Sequence, residues 1–545
     1  MEKGSIITIK IEDMTVQGQG VGRAEDGRAV FVRGAVPGDV VTCKLTKLKK
    51  RYAFASLLDV DIPSPDRQAP FCMYNGECGG CMFQSLTYEG QLALKEKHVR
   101  DALVRLGGVE EPVLRPIVGM DEPYRYRNKA SMPVSTGGII TRKGGIVEPI
   151  GVPEVGFFRG RSHDVVDCQD CVLQAEPAIA AAEALRRFME EDHITAFDPK
   201  WEKGLLRHMV VRTAFGTGEV MVILVTSGGG IPNAAKLISM LDDAIAAIPW
   251  PEGEGDPQEP PFSLESVVLN INKTPVGAGS IYGDKTEVLA GRPVISEALG
   301  GMEFEISPLS FFQVNPEQMM VLYNKATEYA DLSGGETVLD LYCGAGTIGL
   351  WMLNELRERA PEQFGSTRVL GIESVKSAVL DANRNAVLNR IVNARYVEGK
   401  AEHVLPALMG EVSPEELPEM AIGLRKVLED ESLRVEHADV VILDPPRAGC
   451  DERLLAAVVK AAPDRIVYVS CDPATLARDV KFLGANGYRF REATPVDMFP
   501  WVGHVESCVL LRRVSNRKAD SHVKLNVKME DYYRIKDSKG GEADG

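Results

Sequence analysis

The run Thr337-Val-Leu-Asp-Leu-Tyr-Cys-Gly-Ala-Gly-Thr347 decides how the chain is to be read. An apolar strand carries the acid Asp340 near its end. Gly344 and Gly346 then let the backbone turn tightly and approach a ligand. A second strand, Arg368-Val-Leu-Gly-Ile-Glu373, ends in a carboxylate at the usual distance for pairing with ribose hydroxyls. Asp439-Val-Val-Ile-Leu443 and Arg465-Ile-Val-Tyr-Val-Ser470 follow, with helical stretches between. This alternation predicts an α/β fold with a doubly wound, mostly parallel sheet over residues 311–513. A third glycine is found only by counting Gly349. The motif therefore suits a nucleoside ligand without phosphates, S-adenosylmethionine, better than a dinucleotide or a bare structural turn.

Three further residues fall where such a sheet works. Asp444, in Asp444-Pro-Pro-Arg447, follows an apolar strand and so lies at its carboxyl end, where open α/β sheets bind ligands. Cys471, in Val469-Ser-Cys-Asp-Pro473, ends the next strand just before a helix opening at Pro473. A thiol at a helix N-terminus is expected as the nucleophilic thiolate. Glu506 lies in the mostly apolar stretch Met498-Phe-Pro-Trp-Val-Gly-His-Val-Glu506, where a desolvated carboxylate can act as a general base. The bland readings are a proline-stiffened turn, a buried free cysteine and an ordinary strand-edge glutamate.

Working outward, residues 1–62 alternate in the strand manner and turn at Gly18, Gly20, Gly22 and Gly34, which suggests a small five-stranded OB-like barrel. Pro63-Ser-Pro65 reads as a linker. Residues 63–310 mix strand-like runs with a helical stretch over 84–106 and a cysteine cluster, a central α+β region. Residues 514–545 are polar and poor in large apolar groups, the composition of a disordered tail. Ten cysteines in 545 residues are too sparse for a disulfide scaffold. Cys72, Cys78 and Cys81 with a distant fourth cysteine supply the four thiolates that zinc or an iron–sulfur cluster requires. No run approaches the length of a transmembrane helix and the amino terminus lacks a signal-peptide core, so a cytoplasmic protein is expected. The net charge of −16 argues, taken globally, against a nucleic-acid partner.

Together, the runs 340–347, 371–373, 444–449, 470–479 and 499–506 resemble the RNA uracil-C5 methyltransferases, which make 5-methyluridine in tRNA and ribosomal RNA. The resemblance reaches to about residue 513. The amino-terminal barrel is similar to their TRAM domain, and Ser310-Phe-Phe-Gln-Val-Asn315 to the lead-in of their Rossmann-like class I methyltransferase domain. The resemblance implies Cys471 as the nucleophile that attacks uracil C6 and Glu506 as the base that removes the C5 proton. It implies Gln313, Tyr342, Gly344, Glu373 and Asp444 as S-adenosylmethionine contacts; Thr347 stands where some members carry asparagine. Cys343, Cys450 and Cys508 are expected to pack rather than react. Members with this cysteine spacing hold a 4Fe-4S cluster. The implied ligands are Cys72, Cys78, Cys81 and Cys171, with Cys168 the runner-up for the fourth position.

RNA contacts are expected from local patches. Residues 41–51 carry five basic residues and no acid, including Lys47, Lys49, Lys50 and Arg51. Arg125-Tyr-Arg127-Asn-Lys129 interleaves cations with an aromatic, a composition suited to splayed-out RNA bases, and resembles the family's RNA-facing segment. A solvated charged face is the alternative for the first patch. Ribosomal RNA, specifically 23S, is the preferred substrate by analogy and tRNA the alternative; a monomer with no membrane association is expected. Two other functions compete: a radical S-adenosylmethionine RNA modifier, whose short Cys-x3-Cys-x2-Cys signature is absent, and a non-catalytic RNA-binding or assembly protein, against which intact Cys471, Glu506 and Asp444 speak. The acid excess is expected away from the RNA path. Between 411 and 439 nine acidic residues face three basic ones.

Overall fold

Alternate residues of the first five strands turn inward, and their apolar side chains close a barrel around Ile9, Ile11, Val30, Val32, Val41, Leu45 and Ala53. The strands are β1 (Ile6–Met14), β2 (Gln19–Arg23), β3 (Ala29–Arg33), β4 (Val40–Leu48) and β5 (Tyr52–Ile62), in the order β1-β2-β3-β5-β4. β3 and β5 run parallel and the other pairs antiparallel. The computed structural model describes residues 2–141, 147–251, 253, 255–256, 259–275, 279–410, 430 and 433–514. The expected polar tail, and most of the acidic stretch 411–439, lie outside the described residues.

The segment at Pro63–Pro65 is no loose tether. The carboxylate of Asp39, buried in the barrel wall, accepts the Ser64 N–H at 2.9 Å and the Arg67 guanidinium at 2.7 Å. Helix α1 (Tyr88–Arg105) is shorter than the expected 84–106 because Thr87 caps it, its hydroxyl accepting the Gly90 N–H at 3.2 Å.

A central sheet follows. Its strands are β6 (Lys129–Ser135), β9 (Glu154–Phe158), β10 (Val165–Asp167), β11 (Leu206–Thr213), β12 (Glu219–Thr226), β13 (Ser263–Ile271) and β14 (Lys285–Gly291), ordered β10-β9-β6-β11-β12-β13-β14. The small hairpin of β7 (Ile139–Thr141) and β8 (Val147–Pro149) interrupts the numbering. Helices α2 (Glu176–Glu191) and α3 (Ala234–Ala246) bury their apolar sides in the same core as β6 and β11–β13. A second hairpin, β15 (Ile295–Leu299) and β16 (Met302–Ile306), leads to helix α4 (Pro316–Ala330).

The carboxyl-terminal sheet contains β17 (Thr337–Leu341), β18 (Arg368–Glu373), β19 (Ala394–Glu398), β20 (Val440–Leu443), β21 (Arg465–Ser470), β22 (Tyr488–Val496) and β23 (Glu506–Arg513). The order is β19-β18-β17-β20-β21-β23-β22, with only β23 antiparallel to its neighbours. Successive residues of one strand feed opposite layers, as a buried parallel strand requires. Val338 joins the layer of α4, α5 (Thr347–Arg359) and α7 (Lys376–Leu388), beside which the short α6 (Pro361–Phe364) lies. Leu339 joins that of α8 (Ala401–Leu408), α9 (Glu452–Ala461) and α10 (Pro473–Ala485). Val99 and Leu103 of α1 pack into this second layer, so the first long helix is built onto the carboxyl-terminal sheet. Among the described residues no helix is long and apolar enough to cross a membrane.

Candidate active site

The chain leaves β17 to build β18 and β19 on one side and returns to build β20 and β21 on the other. Ligands of open α/β sheets bind where the order reverses in this way. Asp340, Glu373, Asp444 and Cys471 all stand at the carboxyl edge around that point. The turn after β17 is shaped for close approach. Tyr342, Gly344 and Gly346 have φ of 64°, 54° and 74°, and a Cβ on Gly346 would meet the Tyr396 ring at 2.6 Å. Gly349 supplies the third-glycine function from within α5, where a Cβ would meet both Asp340 Oδ2 and Val369 at 2.8 Å. The Glu373 carboxylate accepts the Gly344 N–H at 3.2 Å and the Val375 N–H at 2.7 Å. Tyr342 and Glu373's neighbour Ser374 line a cavity of ≈ 420 Å³ together with Gly399, Lys400, Gly449 and Asp451. Gln313 is buried, and its carbonyl oxygen accepts the Asn128 side-chain N–H at 2.9 Å. Thr347 shares a hydrogen bond of 2.7 Å with the Tyr323 hydroxyl, so its side chain is engaged inside the protein.

Sheet register sets the reacting groups. β21 and β23 are antiparallel, and their register ends with Ser470 opposite Ser507. Cys471 follows β21 directly and Glu506 opens β23, and the Glu506 charge acts on the Cys471 thiol. Burial raises the Glu506 carboxyl to about 8; the neighbouring Asp444 charge adds to this and Arg447 opposes it. Its Oε2 is buried without a hydrogen-bond partner. Burial, with the Asp340 and Glu373 charges, raises Asp444 to about 7.

The surroundings of Cys471 oppose, rather than favour, the thiolate expected there. Burial first, then the charges of Glu506 and Asp444, push its thiol up to about 12. The helix end does not offset this, because Asp472 caps it. The Asp472 carboxylate accepts the Ala474 and Thr475 N–H groups at 2.9 and 3.0 Å. Cys343, Cys450 and Cys508 are buried and their thiols raised by that burial, consistent with packing roles.

Residues 295–514 match the family model described as tRNA (Uracil-5-)-methyltransferase, and residues 1–58 match the TRAM domain. An uncharacterized RNA methyltransferase of Halalkalibacterium halodurans is 39% identical over 511 residues, spanning 94% of this chain and 98% of its own. One from Caldanaerobacter subterraneus is 38% identical over 512 residues, spanning 94% and 99%. The chain belongs to the S-adenosylmethionine-dependent RNA uracil-C5 methyltransferases. Among solved structures, the Pyrococcus abyssi tRNA (uracil-54, C5)-methyltransferase in complex with S-adenosyl-L-homocysteine is similar at a TM-score of 0.65 and 27% identity, over 93% of this chain and 100% of that one.

In this methyltransferase the loop before Glu506 is held by residues that sequence reasoning missed. Lys95 of α1 donates to Asp497 at 2.6 Å and to the Phe499 carbonyl at 2.8 Å, and both charged side chains are fully buried. The Tyr88 hydroxyl donates to the other Asp497 oxygen at 2.9 Å. The Gln91 side chain accepts the Trp501 N–H at 3.0 Å, and the Trp501 carbonyl accepts the Met82 and Phe83 N–H groups just after Cys81. A signal existed: Gln91 and Lys95 occupy the same i, i+4 stripe of α1 as the buried Val99 and Leu103. Polar residues in an apolar register need buried partners.

The cysteines come together. Cys72, Cys78, Cys81, Cys168 and Cys171 all line one cavity of ≈ 470 Å³, which also reaches Arg447. Burial, the larger cause, and the nearby Cys171, Cys78 and Cys72 raise the Cys81 thiol to about 12. Zinc needs its thiolates about 2.3 Å from one point. No group of three or more His, Cys, Asp or Glu is so placed among the described residues. The five cysteine side chains that meet at the cavity are thiols. Cys168 and Cys171 are not equivalent: the Cys168 thiol donates to the Asp170 carbonyl at 3.3 Å. The Gln174 N–H donates to the Cys171 backbone carbonyl at 3.2 Å, and the neighbouring Cys168 and the Leu173 and Gln174 N–H groups hold the Cys171 thiol below its ordinary value.

The expected RNA cations divide. Lys47, Lys49, Lys50 and Arg51 are exposed, without ion pairs among the described residues. Arg125 is tied to the cysteine loop, donating to Asp170 at 2.8 Å and to the Cys171 carbonyl at 2.6 Å. Arg127 and Lys129 line the cysteine cavity, and Lys129 lies over the Tyr282 ring at 5.6 Å.

Proposed function

We propose that this enzyme methylates C5 of a uridine in RNA through a transient bond between Cys471 and uracil C6. The placement of Cys471 at the end of β21 beside β23, whose first residue Glu506 is buried with its Oε2 unpartnered, carries the reading. Uracil C5 is a poor nucleophile, and adding a thiolate at C6 turns it into an enolate-like carbon. S-adenosylmethionine, when bound, supplies the electrophilic methyl group; Gln313, Tyr342, Gly344, Glu373 and Asp444 are the residues that would hold it. Glu506 then takes the C5 proton, the C5–C6 double bond re-forms, and Cys471 leaves as thiolate. Burial suits Glu506 to this task, because a raised carboxyl is a stronger base. Incubation with 5-fluorouridine RNA and tritiated cofactor tests the reading, since fluorine at C5 cannot be removed as a proton. A labelled covalent complex is expected, and a labelled complex that persists in Cys471→Ala would overturn it.

The work is divided, in this reading, among a barrel at 1–62, a central region at 63–310 and a methyltransferase region at 311–513. The five-thiol cavity supports a 4Fe-4S cluster held by Cys72, Cys78, Cys81 and Cys171. Cys168 stands beside it as a hydrogen-bond donor. Iron content measured in serine variants checks this: loss is expected in Cys171→Ser and retention in Cys168→Ser, and the reverse would make Cys168 the ligand.

In this reading a monomeric cytoplasmic enzyme acts on RNA, and 23S ribosomal RNA is the first substrate to test. A tRNA uridine is the second reading, favoured by the similar structure's being a tRNA enzyme over 93% of this chain. Mapping 5-methyluridine in ribosomal RNA and tRNA exposed to the enzyme separates them.

A further inference from the structure

The turn that leads into Glu506 carries a residue its backbone disfavours. The Val502 N–H donates to the Phe499 carbonyl at 3.2 Å, closing a turn over Phe499-Pro-Trp-Val502. Pro500 stands second, as such turns favour, but the third residue, Trp501, has a φ of 66°. A turn with a left-handed third residue ordinarily takes glycine or asparagine there, because a Cβ crowds the backbone. Here the largest of all side chains fills the position, and it is only 2% exposed. Backbone strain of this kind persists only where its surroundings over-determine it.

Those surroundings are drawn from several segments. The Trp501 N–H donates to Gln91 Oε1 at 3.0 Å, and its indole Nε1–H to the Pro123 carbonyl at 2.8 Å. The Trp501 carbonyl accepts the Met82 and Phe83 N–H groups at 3.0 and 3.2 Å. The Tyr126 hydroxyl donates to the Pro500 carbonyl at 3.0 Å. Three rings enclose the indole: Phe71 edge-on at 4.8 Å, Tyr88 tilted at 5.6 Å and Tyr124 stacked at 5.7 Å. Two residues on, a Cβ at Gly503 would lie 2.1 Å from the Val16 carbonyl oxygen, in the turn between β1 and β2.

Much of this cage belongs to the cysteine loop. Phe71 precedes Cys72, and Met82 and Phe83 follow Cys81. Cys81 and Cys171 pack against the same apolar cluster as Trp501. On the other side of the turn Val505 is buried and Glu506 opens β23. Glu506 Oε2 has no hydrogen-bond partner to steer it, so the aim of the carboxylate follows from where the turn delivers the strand. Cys471 follows β21 and is not carried by this turn.

We infer that Trp501 is a positioning residue for the base: a latch through which the cysteine loop, residues 71–83, holds the turn that aims Glu506. This rests on the reading of Glu506 given above. Core filling alone would explain the burial of an indole. It would not explain why the bulkiest residue stands at the left-handed position of this turn. With the cage opened the turn relaxes and the carboxylate is displaced from the C5 proton, while the nucleophile stays in place. A displacement of about 1 Å at a reacting group costs about 10²-fold in rate.

Trp501→Gly leaves the turn a residue it favours and empties the cage. Two rates are compared in full-length protein: adduct formation on 5-fluorouridine RNA, which precedes the base's step, and turnover on ordinary RNA, which needs it. Adduct formation should stay within about threefold of wild type while turnover falls about 10²-fold. RNA affinity should be unchanged, and methylated RNA should accumulate on the protein. Trp501→Phe, which keeps a packed ring, should recover most of the turnover. Phe71→Ala with Tyr124→Ala opens the cage from outside, at rings 39% and 41% exposed, and keeps the test alive if the glycine variant does not fold. It should show the same split, about tenfold in turnover. Hydrogen exchange of the peptide 497–506 should quicken in these variants and, independently of any activity, in Cys81→Ser. Equal losses in the two rates, a loss confined to RNA affinity, wild-type turnover in Trp501→Gly, or unaltered exchange in Cys81→Ser would overturn the latch. If wild type forms no fluorouridine adduct, the methylation reading fails independently; an adduct with equal losses sinks the latch alone.

Discussion

The carboxyl edge of the β17–β23 sheet and the outer face of the barrel are built on opposite principles. At the sheet edge Asp340, Asp444 and Glu506 are crowded out of water, and each is raised towards neutrality by burial and by acidic neighbours. On the barrel face five cations over residues 41–51 stand in solvent with no acid among them. The difference teaches where charge matters. The net charge of −16 averages an acid-crowded cleft with a basic barrel face, and the average describes neither.

Breaking the cleft should have the largest effects. Cys471→Ala removes the proposed nucleophile, and turnover measured by tritium transfer to RNA should fall by about 10⁴-fold or more. Glu506→Gln should lower turnover by about 10²–10⁴-fold. It should also leave methylated RNA attached to the protein, visible as a retarded band on a denaturing gel. Release without turnover loss in that variant would assign the base elsewhere.

Next comes the clamp beneath the cleft. Asp497→Ala leaves the Lys95 ammonium buried and unpaired, which costs about 3–5 kcal/mol. A lower thermal midpoint is expected. Lys95→Met with Asp497→Leu, which replaces the pair by apolar groups, should recover much of the stability. If the pair only stabilises, that double variant should also recover turnover; if it aims Glu506, turnover should stay low while RNA affinity is normal.

The effect of pH distinguishes the two steps. Glu506 must be unprotonated to act, and its carboxyl is raised to about 8. Where removal of the C5 proton limits turnover on ordinary RNA, the rate should therefore rise about tenfold per unit below pH 8 and flatten above it. A continued rise past about pH 9 would make Cys471 attack the limiting step. Adduct formation on 5-fluorouridine RNA stops before the base acts and should follow the Cys471 thiolate, still rising past pH 9. In Glu506→Gln one cause of that thiol's raised value is gone, so peptide-resolved alkylation of Cys471 should begin at lower pH. A thiol that alkylates fully at pH 7 in wild type would contradict the burial argument.

The same contrast explains what could be read from residues alone. Strand-end chemistry was legible because each motif couples an apolar strand to a turn with its own residues: Gly344 and Gly346 after β17, Asp444 after β20, Cys471 after β21. The barrel was legible from two-residue alternation and glycine turns. The electrostatic state of Cys471 was not. It depends on Asp444 and Glu506, which other strands bring in, and on Asp472 occupying the helix end that would otherwise have served the thiolate. Nor was Lys95–Asp497, whose partners are 402 positions apart in the chain. Arg125 looked like an RNA cation because its sequence neighbours are basic and aromatic, while its partners Asp170 and Cys171 come from a distant loop.

The smallest expected effect is on the barrel, where Lys49→Gln alone should weaken RNA binding modestly and lower the salt slope by about 1. A larger change from one exposed cation would mean that the face does more than attract phosphate.

The central claim is the sulfur–carbon bond, and the measurement closest to it is mass spectrometry of the protein after reaction with 5-fluorouridine RNA and S-adenosylmethionine, followed by digestion. The account predicts a methylated fluorouridine nucleotide on the peptide containing Cys471, and on no other of the ten cysteines. The same adduct on any other residue, or methylated RNA produced without an adduct, would contradict it.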